Sequence, residues 1–467
     1  MDRTTRQIVD YTTAFGADGL SATTRDAAVR HIVDTVAVGI AGHFSSTARL
    51  LADVARTVRA DGDSTVIGFG FRSTPEMAAF VNTAMVRTYD WNDGMQARGG
   101  GHPSDMIPGI LATAELVDAS GEEVLVAAAL AYELLGGMGA DIPIGDIGLD
   151  QGTLMGAATA LSCGRLLGLT RAQLANAASL ALVPNVPLGV SRWGVLSMMK
   201  GCATAFAVKN AVFAAQLAHA GMTSAPEPFE GIYGLFHVTG PFEPRLPVLS
   251  DGPSVIEMSH QKPVPAETQA LALLELVPEI RSFCRIDEIQ RIVIDLPHHA
   301  MDHIADPPKY DPQTRETADH SLPYMLAVAL VDGELTLDSY EPERFLDPAL
   351  RPLMQRIECR PDATLSEQRE RELVGVTRPA PARISIHTND GRSLQHEVAY
   401  YKGHYRNQMN RSDIDRKLDS IFERGVPEAE ARTIRDLWWN IDELPSVRPA
   451  MAALSDLGTR GDGSADK

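Results

Sequence analysis

Residues 90–106 read DWNDGMQARGGGHPSDM, a stretch poorly suited to packing. Asp90 and Asp93 stand three apart, Arg98 and three glycines follow, and His102 leads into Pro103, Ser104 and Asp105. Carboxylates and an imidazole can take and return protons near neutrality, and glycines let backbone approach a ligand closely. If the helical pattern of PEMAAFVNTAMVRTYD runs on to Asp93, both carboxylates share one helix face at i and i+3. His102 then precedes a fresh helix whose first amides can receive an anion. Without chemistry, the same residues read as a helix stop, a glycine loop and a cap at Ser104 or Asp105.

Two further clusters carry cations. SRWGVLSMMKGCATAFAVKNAVFAAQLAHAG, residues 191–221, sets Arg192, Trp193, Met198, Met199 and Lys200 ahead of an Ala-rich helix. Lys200 there either snorkels to solvent or projects into a cavity, and the Trp and Met side chains form a pocket wall or plain core. KYDPQTRETADHSLPYMLAVALVDGE, residues 309–334, crowds Arg315, Asp319, His320 and Tyr324 before an apolar helix, with Ser321 as its cap and Pro323 in its first turn. An anionic substrate would require such local cations, because a net charge of -19 repels it everywhere else.

The elements that must hold these clusters follow from length and periodicity. A chain of 467 residues exceeds one core and predicts two domains. From about 24 to 225 the sequence is a run of apolar segments with helical period and small-residue faces, with Ser21 and Thr170 placed as N-caps. Past about 255 the pattern mixes: EIQRIVIDLP and PARISIHTNDGRSLQHEVAYY alternate with period two, with a hairpin turn at Asp390-Gly391. Helical sequence returns from SDIDRKLDSIFER onward. The expected fold is mainly α with a second α+β domain: a large all-helical domain of residues 1–255 and 403–455, interrupted by a smaller α+β domain of residues 256–402. Residues 456–467 read as a disordered tail.

Composition excludes several classes. The negative charge argues against nucleic acid and anionic membrane as partners, and no apolar run has the length of a membrane span. The N-terminus MDRTTRQIVDYTT lacks an apolar signal core, so the expected location is cytoplasmic. Cys163, Cys202, Cys284 and Cys359 are dispersed without a CxxC pair, and the glycine triplet is neither a dinucleotide fingerprint nor a phosphate loop. No metal and no nucleotide cofactor is expected.

GGGHPSD, the Ala-rich run after MMKG and above all RETADHSLPYMLAVALVDGE resemble the MmgE/PrpD family, best known for 2-methylcitrate dehydratases. DTVAVGIAG and YYKGHYRNQMN extend the resemblance over about residues 25–440. It implies a cofactor-independent homodimeric enzyme with a helical domain, a smaller lid domain and an active site between them. Asp93, His102 and Lys200 match the family's active-site aspartate, histidine and lysine, and Tyr324 matches a tyrosine of the lid. Asp90, Arg98, Ser104, Arg192, Gln269, Arg315 and His320 are the surrounding candidates for binding a small polycarboxylate. Relatives commonly carry a lid histidine where this chain has Gln269 or Leu271, and a hydroxyl residue where it has Gly94. Glutamine cannot transfer a proton at neutral pH, so that role is missing or has moved to His260 or His320.

Family activities include dehydration of 2-methylcitrate, decarboxylation of cis-aconitate and epimerisation of iminodisuccinate. Each passes through a carbanion-like centre beside a carboxylate, so cations must absorb charge. Lys200 with Arg192 or Arg315 fits that need, His102 or Asp93 would take the proton, and Tyr324 or His320 would protonate a departing hydroxide. The leading expectation is a hydro-lyase, followed by an epimerase or decarboxylase, then a non-catalytic polycarboxylate binder.

Overall fold

Alanine and glycine on facing helices let their axes approach closely, and the first half of the chain is built on such contacts. In the computed structural model, which describes residues 1–58, 62–247 and 252–458, helices Pro75–Arg87, Gly152–Leu166 and Arg171–Leu182 all pack on Met199–His219. Ala84, Ala158 and Ala211 are buried in these faces. Helix Ala22–His43 lies against Pro75–Arg87 so tightly that a Cβ on Gly42 would sit 2.2 Å from the carbonyl oxygen of Met85. Ser21 and Thr170 cap their helices as expected, each accepting from a backbone N–H three residues on.

Two features of this half differ from the sequence reading. The helix beginning at Pro75 ends at Arg87, and Asp90 adopts φ +51°, so Asp90 and Asp93 lie in a loop and share no helix face. The half is also not all helical: β1 (Ser64–Val66) and β2 (Phe71–Ser73) form a small antiparallel hairpin. Three-residue strands are too short to show a period-two pattern.

The second half holds a four-stranded mixed sheet. β3 (Ile289–Leu296) lies between β4 (Ile357–Pro361), which runs parallel to it, and β5 (Ala382–Thr388), which runs antiparallel. β5 continues through the turn at Asp390-Gly391 into β6 (Ser393–Val398), with Gly391 at φ +88°. Helix Leu322–Asp332 is capped by Ser321, which accepts from the Tyr324 N–H at 3.1 Å, and is buried from Leu322 to Leu330. Helices Arg411–Phe422 and Glu428–Trp439 return to pack on Ala22–His43. From the first of these, the buried Lys417 ammonium donates to Asp34 at 2.7 Å, to the Trp91 carbonyl at 2.9 Å and to the Lys262 carbonyl at 3.2 Å. The architecture is thus mainly helical with an added α+β part. The expected tail lies outside the described residues from 459 onward. Among the described residues, no helix is long and apolar enough to cross a membrane.

Candidate active site

The loop after Arg87 is held by buried charge. Lys262 donates to both the carbonyl and the carboxylate of Asp90, at 2.8 and 3.0 Å, while Arg87 pairs with the other carboxylate oxygen. These bonds offset the cost of a left-handed non-glycine residue, about 1–3 kcal/mol. Burial disfavours the Asp90 anion, but Arg87, Lys262 and Lys200 override it and hold the carboxyl well below its usual range.

Asp93 is fully engaged. Its carboxylate accepts from His31 Nδ1 at 2.9 Å, from the Tyr132 hydroxyl at 2.6 Å and from the Ser104 N–H at 2.9 Å. The amide expected to greet a foreign anion at the turn Pro103–Met106 is therefore occupied from within. The Ser104 hydroxyl, in turn, accepts from Asn92 Nδ2 at 2.9 Å. Burial opposes ionisation of Asp93, yet the bonds from His31, Ser104 and Tyr132 keep it lowered, so it is a poor proton acceptor.

His102 is differently disposed. Its Nδ1 bonds the backbone carbonyl of Asp93. A carbonyl only accepts, so Nδ1 carries the hydrogen and Nε2 keeps its lone pair. Nε2 stands 3.8 Å from the Asp90 carboxylate, and the side chain retains 15 % of its surface. Burial, Arg87 and Lys262 hold its pKa well below the ordinary imidazole value. These causes disfavour its imidazolium form and leave the Nε2 lone pair open.

Lys200 is fully buried, which excludes the surface reading of that residue. Its ammonium bonds both oxygens of Asp319 at 2.7 Å, and Asp319 also accepts from His320 Nδ1 at 2.7 Å. His320 therefore has the same tautomer as His102, with Nε2 free. Burial pulls Lys200 down to about 8 against the opposing pull of Asp319 and Asp90. Burial and Lys200 bring His320 to about 3. Arg192 braces the lysine's backbone, donating to the Lys200 carbonyl at 3.0 Å and to Asp150 at 2.7 Å. Arg315 lies over the Tyr89 ring, donates to the Thr88 carbonyl and pairs with Glu316, 3.8 Å from Asp319. Trp193, Met198 and Met199 are exposed rather than core, and the Trp193 ring faces His303 at 4.9 Å.

The remaining candidates separate. Gln269 is buried and donates to Gln96 at 3.4 Å, while Leu271 is packed core. Arg98 is half exposed, 3.7 Å from Glu370. His260 is buried on Gly94, where a Cβ would come within 3.1 Å of its ring, and both its ring nitrogens lack hydrogen-bond partners. Tyr324 departs from its expected place: its hydroxyl donates to the Ser339 carbonyl, and its charged neighbours are Arg344, Asp332, Arg351 and Asp347. Helix Leu322–Asp332 turns that ring into the core. A Tyr324→Phe protein is expected to keep kcat/KM within about twofold and to lose about 1 kcal/mol of stability, as steady-state kinetics and urea unfolding would read. A loss beyond tenfold at unchanged stability would put the hydroxyl back into the site.

Several site groups escaped the sequence reading: Arg87, Lys262, His31, Tyr132, and His299 and His303 on helix His298–Ile304. The two histidines stand four apart in HHAMDHI, one face of a short helix, which is the signal that could have found them. The His303 ring lies 6.0 Å from that of His320, and burial with Lys309 holds it near 4. A wide surface concavity lined by Arg291, Tyr310, Arg356, Glu358, His387 and Arg392 shares no residue with this cluster. Among the described residues, no group of three or more His, Cys, Asp or Glu side chains is arranged to hold a metal.

Known proteins are similar to this chain over most of its length. The 2-methylcitrate dehydratase of Cupriavidus necator is 31% identical over 389 residues, 78% of each chain. That of Escherichia coli K12 is 28% identical over 435 residues, 88% of this chain and 87% of its own. A cis-aconitate decarboxylase of Aspergillus terreus is 24% identical over 476 residues, 97% and 96% of the two chains. The MmgE/PrpD N-terminal domain model matches residues 6–245 and the C-terminal domain model residues 264–443. With more than half of the chain under the first model alone, the protein belongs to the MmgE/PrpD family.

Proposed function

We propose that this enzyme is a hydro-lyase that removes water from a 2-methylcitrate-like polycarboxylate without a cofactor. The observation that carries the reading is His102, a neutral imidazole with its tautomer fixed, beside an Asp90 carboxylate that also feels the buried Lys200 ammonium. His102 Nε2 takes the proton from the carbon beside a substrate carboxylate, and the imidazolium so formed faces Asp90 at 3.8 Å. Asp93 positions this base through its own carbonyl and the Ser104 amide. Lys200 is the loaded acid: as substrate enters, Asp319 yields part of its grip, and the ammonium absorbs enolate charge and protonates the departing hydroxide. Residues 256–402 act as the lid that brings Asp319 and His320 over the helical half.

A second reading rests on His320, which offers another fixed imidazole with a free Nε2. Two such bases suit an epimerase. Separate incubations with 2-methylcitrate, citrate, cis-aconitate and iminodisuccinate in deuterated water distinguish these reactions. A growing enoate absorbance is expected from 2-methylcitrate. Deuterium uptake without elimination would favour the epimerase, and no turnover of any of them would sink both readings.

The pH profile follows from the two groups. A base with a depressed pKa stays active below the usual imidazole range, and an acid with pKa about 8 is lost as pH rises past it. kcat/KM is therefore expected to be flat through pH 6.5 to 7.5 and to fall above about 8. A profile still rising at pH 9 would remove Lys200 from the acid role.

We also read the chain as a homodimer. Val183, Val186, Leu188, Val190, Val195, Phe206 and Phe213 are exposed within one 31-residue span, an apolar face that a second copy of this acidic chain would cover. Light scattering is expected to give twice 50.4 kDa. Phe206→Glu with Phe213→Glu, two turns apart on one helix, should halve it, and a monomeric parent would refute the assignment.

A further inference from the structure

Beyond the catalytic cluster, the lid buries two neighbouring arginines. Arg378 is buried, and its Nε and Nη2 have no hydrogen-bond partner. Its Nη1 bonds Glu370 at 2.6 Å, the same carboxylate that Arg98 approaches at 3.7 Å. Arg369, also buried, donates Nη1 to the Pro379 carbonyl at 2.8 Å and Nη2 to Gln96 Oε1 at 2.8 Å. His404 Nδ1 accepts from the Arg406 N–H, so its Nε2–H donates to the Arg378 carbonyl. Arg369 and His404 thus hold two successive carbonyls, those of Pro379 and Arg378, behind the unpartnered guanidinium. Two guanidiniums, those of Arg378 and Arg98, share one half-exposed carboxylate, and Arg369 is a third cation beside them. The other nearby acids are Asp146, which acts on Arg378, and Glu267, which burial lifts to about 7. The mutual cost is visible in Arg369, which burial and Arg378 together depress to about 10. A buried guanidinium with two unpartnered N–H donors, set beside a second buried guanidinium, is what a bound anion completes.

The place is joined to the catalytic loop. Gln96 lies between Asp93 and His102 and accepts from both Arg369 and Gln269. His299 faces the two arginines and sits four residues before His303, which faces His320.

We propose that Arg378 and Arg369 form an anion subsite that holds the substrate carboxylate farthest from the carbon deprotonated by His102. This rests on the polycarboxylate reading above, and it makes the subsite a determinant of carboxylate number. Calorimetric titration of the full chain with tricarballylate, which has three carboxylates, and glutarate, which has two, tests it. Arg378→Gln is expected to weaken tricarballylate about 30-fold, the scale of charge-assisted hydrogen bonds, and to leave glutarate within about twofold. Arg378→Lys should recover part of the loss. Equal weakening of both ligands, or of neither, would overturn the subsite. A third arm separates this from the function itself. Inorganic phosphate should raise the melting temperature of the parent more than that of Arg378→Gln. If neither polycarboxylate binds the parent while that difference persists, the polycarboxylate reading fails and the anion site stands. If the difference is absent as well, the anion site fails too.

Discussion

His102→Asn is expected to fold, to bind citrate like the parent, and to turn over about a thousandfold more slowly, the middle of the range for losing a general base. The asparagine amide can still donate to the Asp93 carbonyl, so the loop keeps the bond that positions it. What it lacks is a lone pair of suitable basicity where Nε2 stood. Deuterium exchange at the substrate carbon should vanish in parallel with turnover. Asp93 cannot take over, because His31, Tyr132 and Ser104 already fill its oxygens. Exchange at the parental rate would move the base to His320 or His303 and reduce His102 to a positioning residue.

Lys200→Ala should cost at least about a hundredfold in kcat, the loss expected for one preorganised electrostatic group. It also leaves Asp319 buried without its main partner, a change worth about 3–5 kcal/mol of stability. The two effects can be separated. Lys200→Met with Asp319→Asn removes both charges, keeps an oxygen for His320, and should restore much of the melting temperature while activity stays low. A folded Lys200→Ala protein with near-parental kinetics would show that the ammonium is structural only.

Much of this was legible in the sequence because helical periodicity and capping are local. Ser21, Thr170 and Ser321 cap helices where their spacing placed them, and Asp390-Gly391 turns the hairpin expected of it. The RETADHSLPY segment set Asp319 and His320 side by side, but that Lys200 meets them was not legible there. The failures are non-local. Nothing in TYDWND reveals that a lysine 172 residues on will hold Asp90 in a left-handed conformation. Tyr324 looked catalytic by its neighbours in sequence, but the helix Ser321 starts rotates its ring away from them. His31 and Tyr132 sit mid-helix in apolar runs, and only packing brings them to Asp93.

Lys417 joins parts of the chain that are made far apart in time. Its ammonium ties Asp34, the Trp91 carbonyl and the Lys262 carbonyl together, and so borders both the catalytic loop and the lysine that pins it. On a ribosome, every other residue assigned to the site has emerged before this one. The helices of the first half can pack as they appear, but the loop gains this support only once residue 417 has emerged. A nascent or clipped chain lacking helix Arg411–Phe422 keeps Asp93 and His102 and still lacks the clasp on Trp91 and Lys262 that borders their loop.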